Sequence, residues 1–477
     1  MNNFLITFHN IWNAKELRKK IIITLSFLLV YRFGSYIPIP GINPLGISDF
    51  IKNLNSGSKG LLQILSSFTG GAFNRASILA LGIMPYISAS IIIQLMCIVI
   101  PYLQRLQKDG ESGRKQIGLM TRWLTLGLCL IQAPVYLISL TQQFIPFSSY
   151  SSILSNTYLI NINTFYGKTL FWLIGIIVLT SGTLFTMWLG DKITDKGIGN
   201  GVSLIIMSGI IARFPDAIYK EVLSKVEIGN RGFIVLFFEF LLWLLVILFS
   251  ILIIQAIRKI PVQYVSHYKS LGSSSKLIQK KHQYIPLKMT AAGVMPIIFS
   301  QAIMLFPLTF SDYVSSDKIK SFFHLFQDIY GLWYNFAFFL LVIIFTFFYT
   351  AITIPVNQMA DDLKRNGGHI PKIKPGRETA EYIDHVLSNI TIPGSILLAI
   401  IAILPSIVYR IGITQNFALF YGGTSLLIVV GVILDIIQQV DIYLLNYHYD
   451  GLMMMKIKNR NSKFRYNNRR NNRNKNY

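Results

Sequence analysis

The chain alternates between long runs of apolar residues and shorter polar gaps. Most of the runs reach the roughly 20 residues that an α-helix needs to cross a hydrocarbon core about 30 Å thick. The run at 199–216 is the shortest. The ten predicted spans are residues 20–38, 77–100, 122–141, 169–190, 199–216, 231–257, 289–312, 330–356, 389–411 and 420–446. This pattern predicts an all-α fold, a polytopic membrane protein with ten transmembrane helices.

Positive charge is concentrated in every second gap between these spans, which together hold most of the 44 Lys and Arg. Because loops rich in Lys and Arg stay on the cytoplasmic side, we predict that both termini are cytoplasmic. A net charge of +23 is also compatible with nucleic-acid binding, but basic cytoplasmic loops account for most of it. The distribution of charge therefore indicates how the chain is oriented in the membrane and gives no separate support for nucleic-acid binding.

The spans and gaps divide the chain into predicted regions. The last of them has too little apolar surface to fold and should be a disordered basic tail. The regions are a cytoplasmic N-terminus (1–19), an N-terminal half of five spans with a re-entrant segment at about 61–76 (20–216), an external loop and sixth span (217–257), a cytoplasmic loop (258–288), the seventh and eighth spans (289–356), a cytoplasmic loop (357–388), the ninth and tenth spans (389–446) and the tail (447–477).

One segment breaks the rule for membrane helices. Two glycines and a charge interrupt the apolar run before the second span, at Gly70, Gly71 and Arg75. Irregular backbone at membrane depth is tolerated only inside protein or beside a water-filled cavity. We therefore predict a half-helix from Leu61 to about Arg75 that dips into the bundle, with a loop on the outer surface as the alternative.

Prolines inside two predicted spans suggest kinked helices. They are Pro85 and Pro296, and a membrane helix tolerates proline when its neighbours satisfy the freed carbonyl. Kinked helices often line a moving interface, although ordinary bent packing helices are an equal alternative.

The spans contain few ionisable groups, mainly Arg32, Glu239 and, near a cytoplasmic end, Asp435. Ion-coupled transporters place such groups near the midplane to bind and release charge, so a conventional pump is disfavoured. Glu239 is expected to pair structurally, toward Arg231. The His residues are scattered, no catalytic motif is present, and Cys97 and Cys129 form no disulfide or metal pattern. We expect no enzyme, no cofactor and no metal site.

Several strings in the gaps and spans carry a more specific signature. They are Arg32 to Gly41 (RFGSYIPIPG), Gly70 to Ser77 (GGAFNRAS), Leu81 to Gln94, Gly110 to Arg114 (GESGR), Gly197 to Gly201 (GIGNG), Tyr382 to Asp384 (YID) and Gly422 to Ile428 (GGTSLLI). With these strings in order along nearly its whole length, the chain resembles the SecY family of protein-translocation channels.

The resemblance implies an hourglass bundle of two five-helix halves, divided after the fifth span. An odd number of spans per half inverts the second half relative to the first. The resemblance also makes the re-entrant half-helix a plug that closes the external funnel, and the plug residues it implies are Phe68, Gly70, Gly71, Phe73, Asn74 and Arg75.

A pore constriction is implied as well. It would consist of Ile83, Ile87, Val202, Ile206, Ile298 and Ile428. A narrow aliphatic ring offers no group that binds ions and can exclude water. Val202 replaces the Ile that is usual in the family, so the ring is expected to be slightly wider there. From the residues alone, these six positions would be read as plain core.

The two long basic loops are implied to dock the ribosome or the motor ATPase SecA. The residues assigned to this role are Arg258, Lys259, Lys372, Lys374, Pro375, Gly376 and Arg377. The family typically carries Gly-Ile-Arg-Pro-Gly in the second loop, so Lys374 keeps the charge of that Arg but lacks its bidentate fork. The loops could also serve only as positive anchors for topology.

The predicted function is a protein-conducting channel that passes unfolded preproteins across the lipid bilayer and releases apolar helices sideways into lipid. Implied partners are SecE, a SecG-type subunit, SecA and the ribosome. The implied location is the bacterial inner membrane, with a plastid thylakoid left open. A secondary transporter for a small solute is the alternative, and a purely structural membrane scaffold is a third.

Overall fold

The computed structural model describes residues 12, 14–40, 42, 69–144, 165–226, 230–264, 282–290, 293–310, 328 and 330–445. The first half contains helices α1 (Lys15–Gly34), α2 (Met84–Val99), α3 (Pro101–Lys108), α4 (Gly110–Phe144), α5 (Phe165–Lys196) and α6 (Gly201–Val226). The second half contains α7 (Asn230–Gln255), α8 (Met295–Phe310), α9 (Leu332–Thr353), α10 (Val356–Arg365), α11 (Arg377–Arg410), α12 (Gln415–Ala418) and α13 (Gly423–Leu445).

Each predicted span overlaps a helix in the described part of the chain, which confirms a helical, polytopic membrane fold, while the count of ten transmembrane helices stays a prediction. Seven helices in the described part of the chain are long and apolar enough to cross a membrane, or eight if the pair Met84–Cys97 and Pro101–Gln107, bent by 104°, forms one span. Several helices extend beyond the predicted spans into the neighbouring gaps. The helix α4 starts at Gly110 and α11 at Arg377, twelve residues before each predicted span begins. Hydropathy marks where a segment leaves the lipid, whereas a helix ends only where its repeating backbone hydrogen bonds end.

The two halves repeat one packing scheme. In the first half α2 contacts α4, α4 contacts α5, and α1 contacts α5. The second half has the same pairs, with α8 against α9, α9 against α11, and α7 against α11. An equivalent set of contacts in each five-helix half is what an internal structural repeat produces.

A short sequence repeat lies at equivalent places in the two halves. Both α2 and α8 begin with Met-Pro, and each is preceded two residues earlier by a glycine with positive φ, 55° at Gly82 and 61° at Gly293. Pro85 and Pro296 therefore start helices instead of kinking them, and the predicted kinks were wrong. Proline suits the first turn because the N–H that it lacks has no partner there in any helix.

A small antiparallel sheet, which the all-α prediction missed, lies at one end of the bundle. Its strands are β1 (Ile257–Tyr264), β2 (His282–Lys288) and β3 (Gly368–His369), in the order β2-β1-β3. The strands β1 and β2 pair from Ile257 opposite Lys288 to Gln263 opposite His282. Because α7 ends directly before β1, we call this end of the bundle the sheet end.

Candidate functional site

The six residues of the predicted pore ring all lie in one apolar cluster. Ile83, Ile206 and Ile428 are buried members of the cluster, and Ile87, Val202 and Ile298 pack against it half-buried. We call the six side chains the waist. They are carried by α2 and α6 of the first half and by α8 and α13 of the second, with Ile83 directly before α2. Both halves of the fold therefore contribute to the same aliphatic contact region.

Local backbone geometry sets the position of the waist residues on α6. This helix begins at Gly201, where an added Cβ would overlap the carbonyl oxygen of Gly190 on α5. The turn before it is held by a hydrogen bond from the Gly199 amide to Oε1 of Gln439 on α13, 2.8 Å long. The start of α6 is thus fixed against both halves, and Val202 is the next residue.

Residues 69–83 form a series of turns rather than a helix, and we call residues 69–78 of this segment the plug loop. The prediction of a half-helix reaching Arg75 is therefore wrong for residues 69–75, while residues 61–68, including Phe68, lie outside the described residues. Gly70, Gly71, Ala72 and Thr69 are buried, and Phe73, Asn74 and Arg75 are half-buried. Burial among helices matches the predicted entry into the bundle and disfavours the surface-loop alternative.

Backbone contacts tie the plug loop to the segment that follows α1. The Ile39 amide donates to the Ala76 carbonyl (2.8 Å), and the Ile78 amide donates to the Ile37 carbonyl (2.9 Å). On the other side, the Tyr136 hydroxyl on α4 donates to the Phe73 carbonyl at 2.7 Å. The rings of Phe73 and Tyr136 are 4.7 Å apart. The loop is therefore packed mainly against first-half elements.

Glycine is required where the plug loop meets α6. Gly70 has φ +64°, and a Cβ there would overlap the Arg32 guanidinium and lie 2.9 Å from Cα of Gly209 on α6. The guanidinium of Arg75 stacks over the Tyr36 ring at 4.2 Å from its centroid. The close backbone approach between the loop and α6 therefore requires glycine at position 70.

The two predicted docking loops form one structural unit. The strand β1 belongs to the first loop and β3 to the second, and they pair at Gln263 with His369 and at Tyr264 with Gly368. A separate apolar cluster holds the sheet onto α10 and the first turns of α11. Its buried members are Ile260, Val262, Leu287, Leu363, Ile370 and Ile383. Sequence analysis treated the loops separately because this pairing spans about a hundred residues of chain.

The basic docking residues surround this unit. Arg258, Lys259, Lys372, Lys374, Pro375 and Arg377 are exposed and Gly376 is half-buried. Gly376, with φ 112°, caps the start of α11, and Lys372 also has a positive φ of 70°. Lys374 lies 3.6 Å from Glu378, and Arg377 lies 2.9 Å from Glu381. Such exposed pairs contribute little to stability, so both cations remain accessible to another charged surface.

A group of buried charges that the sequence pattern did not reveal lies at the end of the bundle opposite the sheet. The partner of Glu239 is Lys225 on α6, at 2.9 Å. The expected partner, Arg231, has a side chain outside the described residues. The spacing of four residues between Glu221 and Lys225 could have indicated an ion pair on a helix. The fifth predicted span ended at residue 216, however, so both residues were placed outside the helix.

Comparisons with known proteins identify the class of molecule to which this arrangement belongs. A family model described as SecY matches residues 77–437. Curated relatives include the protein translocase subunit SecY of Chlamydia muridarum, 36% identical over 94% of this chain and 98% of the relative. The corresponding subunit of Aquifex aeolicus is 37% identical over 92% of this chain and 97% of the relative.

Solved structures agree with this match at the level of fold. A protein-conducting channel aligns with a TM-score of 0.54 and 15% identity, over 89% of this chain and 91% of the other. A SecY structure whose plug domain stabilises the closed state of the channel gives the same values. The fold is that of a helical membrane channel for proteins.

The chain belongs to the SecY family. It is a protein-conducting channel of the protein translocase, and a transporter for small solutes is not favoured.

Proposed function

We propose that the waist closes the resting channel and that the plug loop covers it. The carrying observation is that all six aliphatic side chains, which come from both halves, belong to one apolar cluster. Aliphatic groups hold neither ions nor water at a constriction, so a narrow ring of them seals by dewetting. They also form no sequence-specific contact with a passing chain, which suits a channel for many different preproteins.

The two halves then act as separate bodies around the passing chain. Separation of the two halves would open a path from the waist into lipid for apolar segments. The orientation has both termini in the cytoplasm, since the basic gaps lie on the sheet side. The bacterial inner membrane is the proposed location.

The sheet is the proposed cytoplasmic docking surface for SecA or for the ribosome. Its exposed cations, Arg258, Lys259, Lys374 and Arg377, lie on one unit built from both loops. An acidic or phosphate-rich partner could contact both loops at once. SecE and a SecG-type subunit are the proposed small membrane partners, and the lipid-exposed helices such as α7 offer apolar surface for them.

Polar substitution in the waist tests the closure. Ile298→Asn and Ile428→Asn should admit ions and relax the requirement for an intact signal sequence, because an amide side chain hydrates the constriction. Ile433→Asn is the matched control, since Ile433 lies on the same helix as Ile428 but is 42% exposed. The measurement is ion conductance in planar bilayers at equal channel density.

Background conductance for both waist variants would show that these residues are ordinary core. A conductance rise in Ile433→Asn as large as in Ile428→Asn would show that the polar group acts through general damage to the bundle.

A further inference from the structure

A buried cluster of charged groups joins α6 to the second half at the end opposite the sheet. Glu221 and Lys225 lie one turn apart on α6, and Glu239 lies on α7. The Lys225 ammonium is 2.9 Å from Glu239 Oε1 and 3.6 Å from Glu221 Oε1. Glu221 has no exposed surface, and the side chains of Lys225 and Glu239 are about nine-tenths buried. We call these residues, with Thr414, the Lys225 cluster.

The turn that follows α11 completes the cluster. The Lys225 ammonium donates a hydrogen bond of 2.9 Å to the Gly412 carbonyl. The Thr414 amide donates to Glu221 Oε2 at 2.9 Å, and the Thr414 hydroxyl donates to the same oxygen. Lys225 and Glu221 therefore attach the fifth span of the first half to two separate elements of the second.

The charges of this cluster do not balance. Two carboxylates face one ammonium, and Tyr421 is the only other titratable side chain packed against them in the described part of the chain; its hydroxyl donates to the Glu239 backbone carbonyl. One oxygen of each carboxylate, Glu221 Oε1 and Glu239 Oε2, has no hydrogen-bond donor within the described residues. The side chains of Glu227 and Arg231 lie outside those residues. Buried charge is tolerated only when paired, so the cluster depends on Lys225.

The opposite end of α6 is also attached to the second half. There the Gly199 amide donates to Gln439 on α13, just before the waist residues Val202 and Ile206. Polar contacts thus join both ends of α6 to the second half, with the apolar waist contact between them. α6 is one continuous helix from Gly201 to Val226, with Pro215 inside it, and a shift at the Lys225 cluster would be transmitted along this helix to the waist.

We propose that Lys225 is a positioning residue for channel closure: it holds α6 against α7 and the 411–414 turn, and so keeps the waist side chains of the two halves in contact. This inference rests on the proposed closure by the waist. Loss of the ammonium leaves two buried carboxylates that repel one another and draw in water, which separates α6 from the second half and loosens the waist.

The decisive variant is Lys225→Met, which keeps the length and the apolar stem of the side chain but removes its charge. Lys220→Met is the matched control, because Lys220 lies on the same helix in an exposed ion pair with Asp216. The two readouts are ion leak and export of a reporter with a defective signal sequence, in membranes that contain the whole translocase at equal channel levels. We expect Lys225→Met to raise both by about tenfold or more, and Lys220→Met to raise neither.

Charge rescue distinguishes positioning from simple packing. The double variant Lys225→Met with Glu239→Gln has the same formal charge in the cluster as the native protein, so it should leak several-fold less than Lys225→Met alone. Loss of packing around the lysine stem would not be repaired by a change at Glu239. Equal leak from the single and double variants would overturn the proposal. It would also be overturned if Lys225→Met, like the control Lys220→Met, raised neither readout.

A milder variant covers the case in which Lys225→Met fails to accumulate. Thr414→Val removes only the hydroxyl donor to Glu221, and we expect about a threefold rise in leak. Native leak from Thr414→Val would then overturn the proposal. The waist variant Ile428→Asn serves as the positive control: if it does not leak, closure by the waist has failed, and the signal-sequence readout alone decides the role of Lys225.

Discussion

Replacement of Gly70 by alanine should open the resting channel by displacing the plug loop. Gly70 has φ +64°, in the left-handed region that L-residues avoid. An alanine Cβ would also overlap the Arg32 guanidinium and lie 2.9 Å from Cα of Gly209, which belongs to the waist helix α6. The guanidinium can move, but the backbone of a packed helix cannot yield cheaply.

The expected size of the effect follows from these two terms. A left-handed conformation costs about 1–2 kcal/mol for a residue with a Cβ, and crowding against the Gly209 backbone adds to that cost. Because one to two kcal/mol changes an equilibrium about 5- to 30-fold, the packed loop should lose at least that factor relative to displaced states. The strain is relieved when the plug loop leaves α6, so a larger fraction of the channels should have a displaced loop and be open.

Gly110→Ala is the matched control for this substitution. Gly110 has φ +71°, similar to Gly70, but nothing lies within 4 Å of the position that its Cβ would take. It starts α4, away from the plug loop. Both variants therefore carry similar backbone strain, and only Gly70→Ala strains the loop against α6.

Single-channel recording in planar bilayers measures the resting open probability of each variant. We expect an increase of about fivefold or more for Gly70→Ala and a native value for Gly110→Ala. A Gly70→Ala channel that stays as closed as the Gly110→Ala channel would refute the inference that packing of the plug loop on α6 contributes to the seal.

Two further predictions concern the docking unit and the plug loop. Lys374→Glu should abolish SecA-driven preprotein import into inverted vesicles, because a repulsive charge replaces an attractive one at an exposed site. Lys374→Arg keeps the positive charge and should preserve import. Native import by Lys374→Glu would show that this loop is only a topological anchor. The ring centroids of Phe73 and Tyr136 lie 4.7 Å apart in an edge-to-face contact, so cysteines at positions 73 and 136 should be joined by a short, reducible bifunctional thiol reagent in the resting channel, which should block export until the link is reduced. Unaffected export by the crosslinked channel would rule out a plug loop that must leave α4.

The sequence by itself determined the membrane class, the location of every long helix and the family. These features depend on local properties: an apolar run of about 20 residues must be helical in lipid because its backbone groups have no other partner. The motifs at Gly70, Gly197 and Gly422 are likewise contiguous strings. The six waist positions could be listed only through the family resemblance, since isolated aliphatic residues in an apolar span look like any other core residue.

Tertiary structure decided the features that join distant parts of the chain. The pairing of β1 with β3 made one unit of two loops, and Lys225 contacts Glu239 and the Gly412 carbonyl across the boundary between the halves. Pro85 and Pro296 proved to start helices because the glycines before them adopt positive φ, which hydropathy does not encode. Residues 69–75 formed turns, and the segment that directly follows them bonds through Ala76 and Ile78 to the backbone after α1. The strand edge, the buried charge and the irregular backbone each need a hydrogen-bond or ion-pair partner that lies far away in sequence. Only folding brings these groups and their partners together.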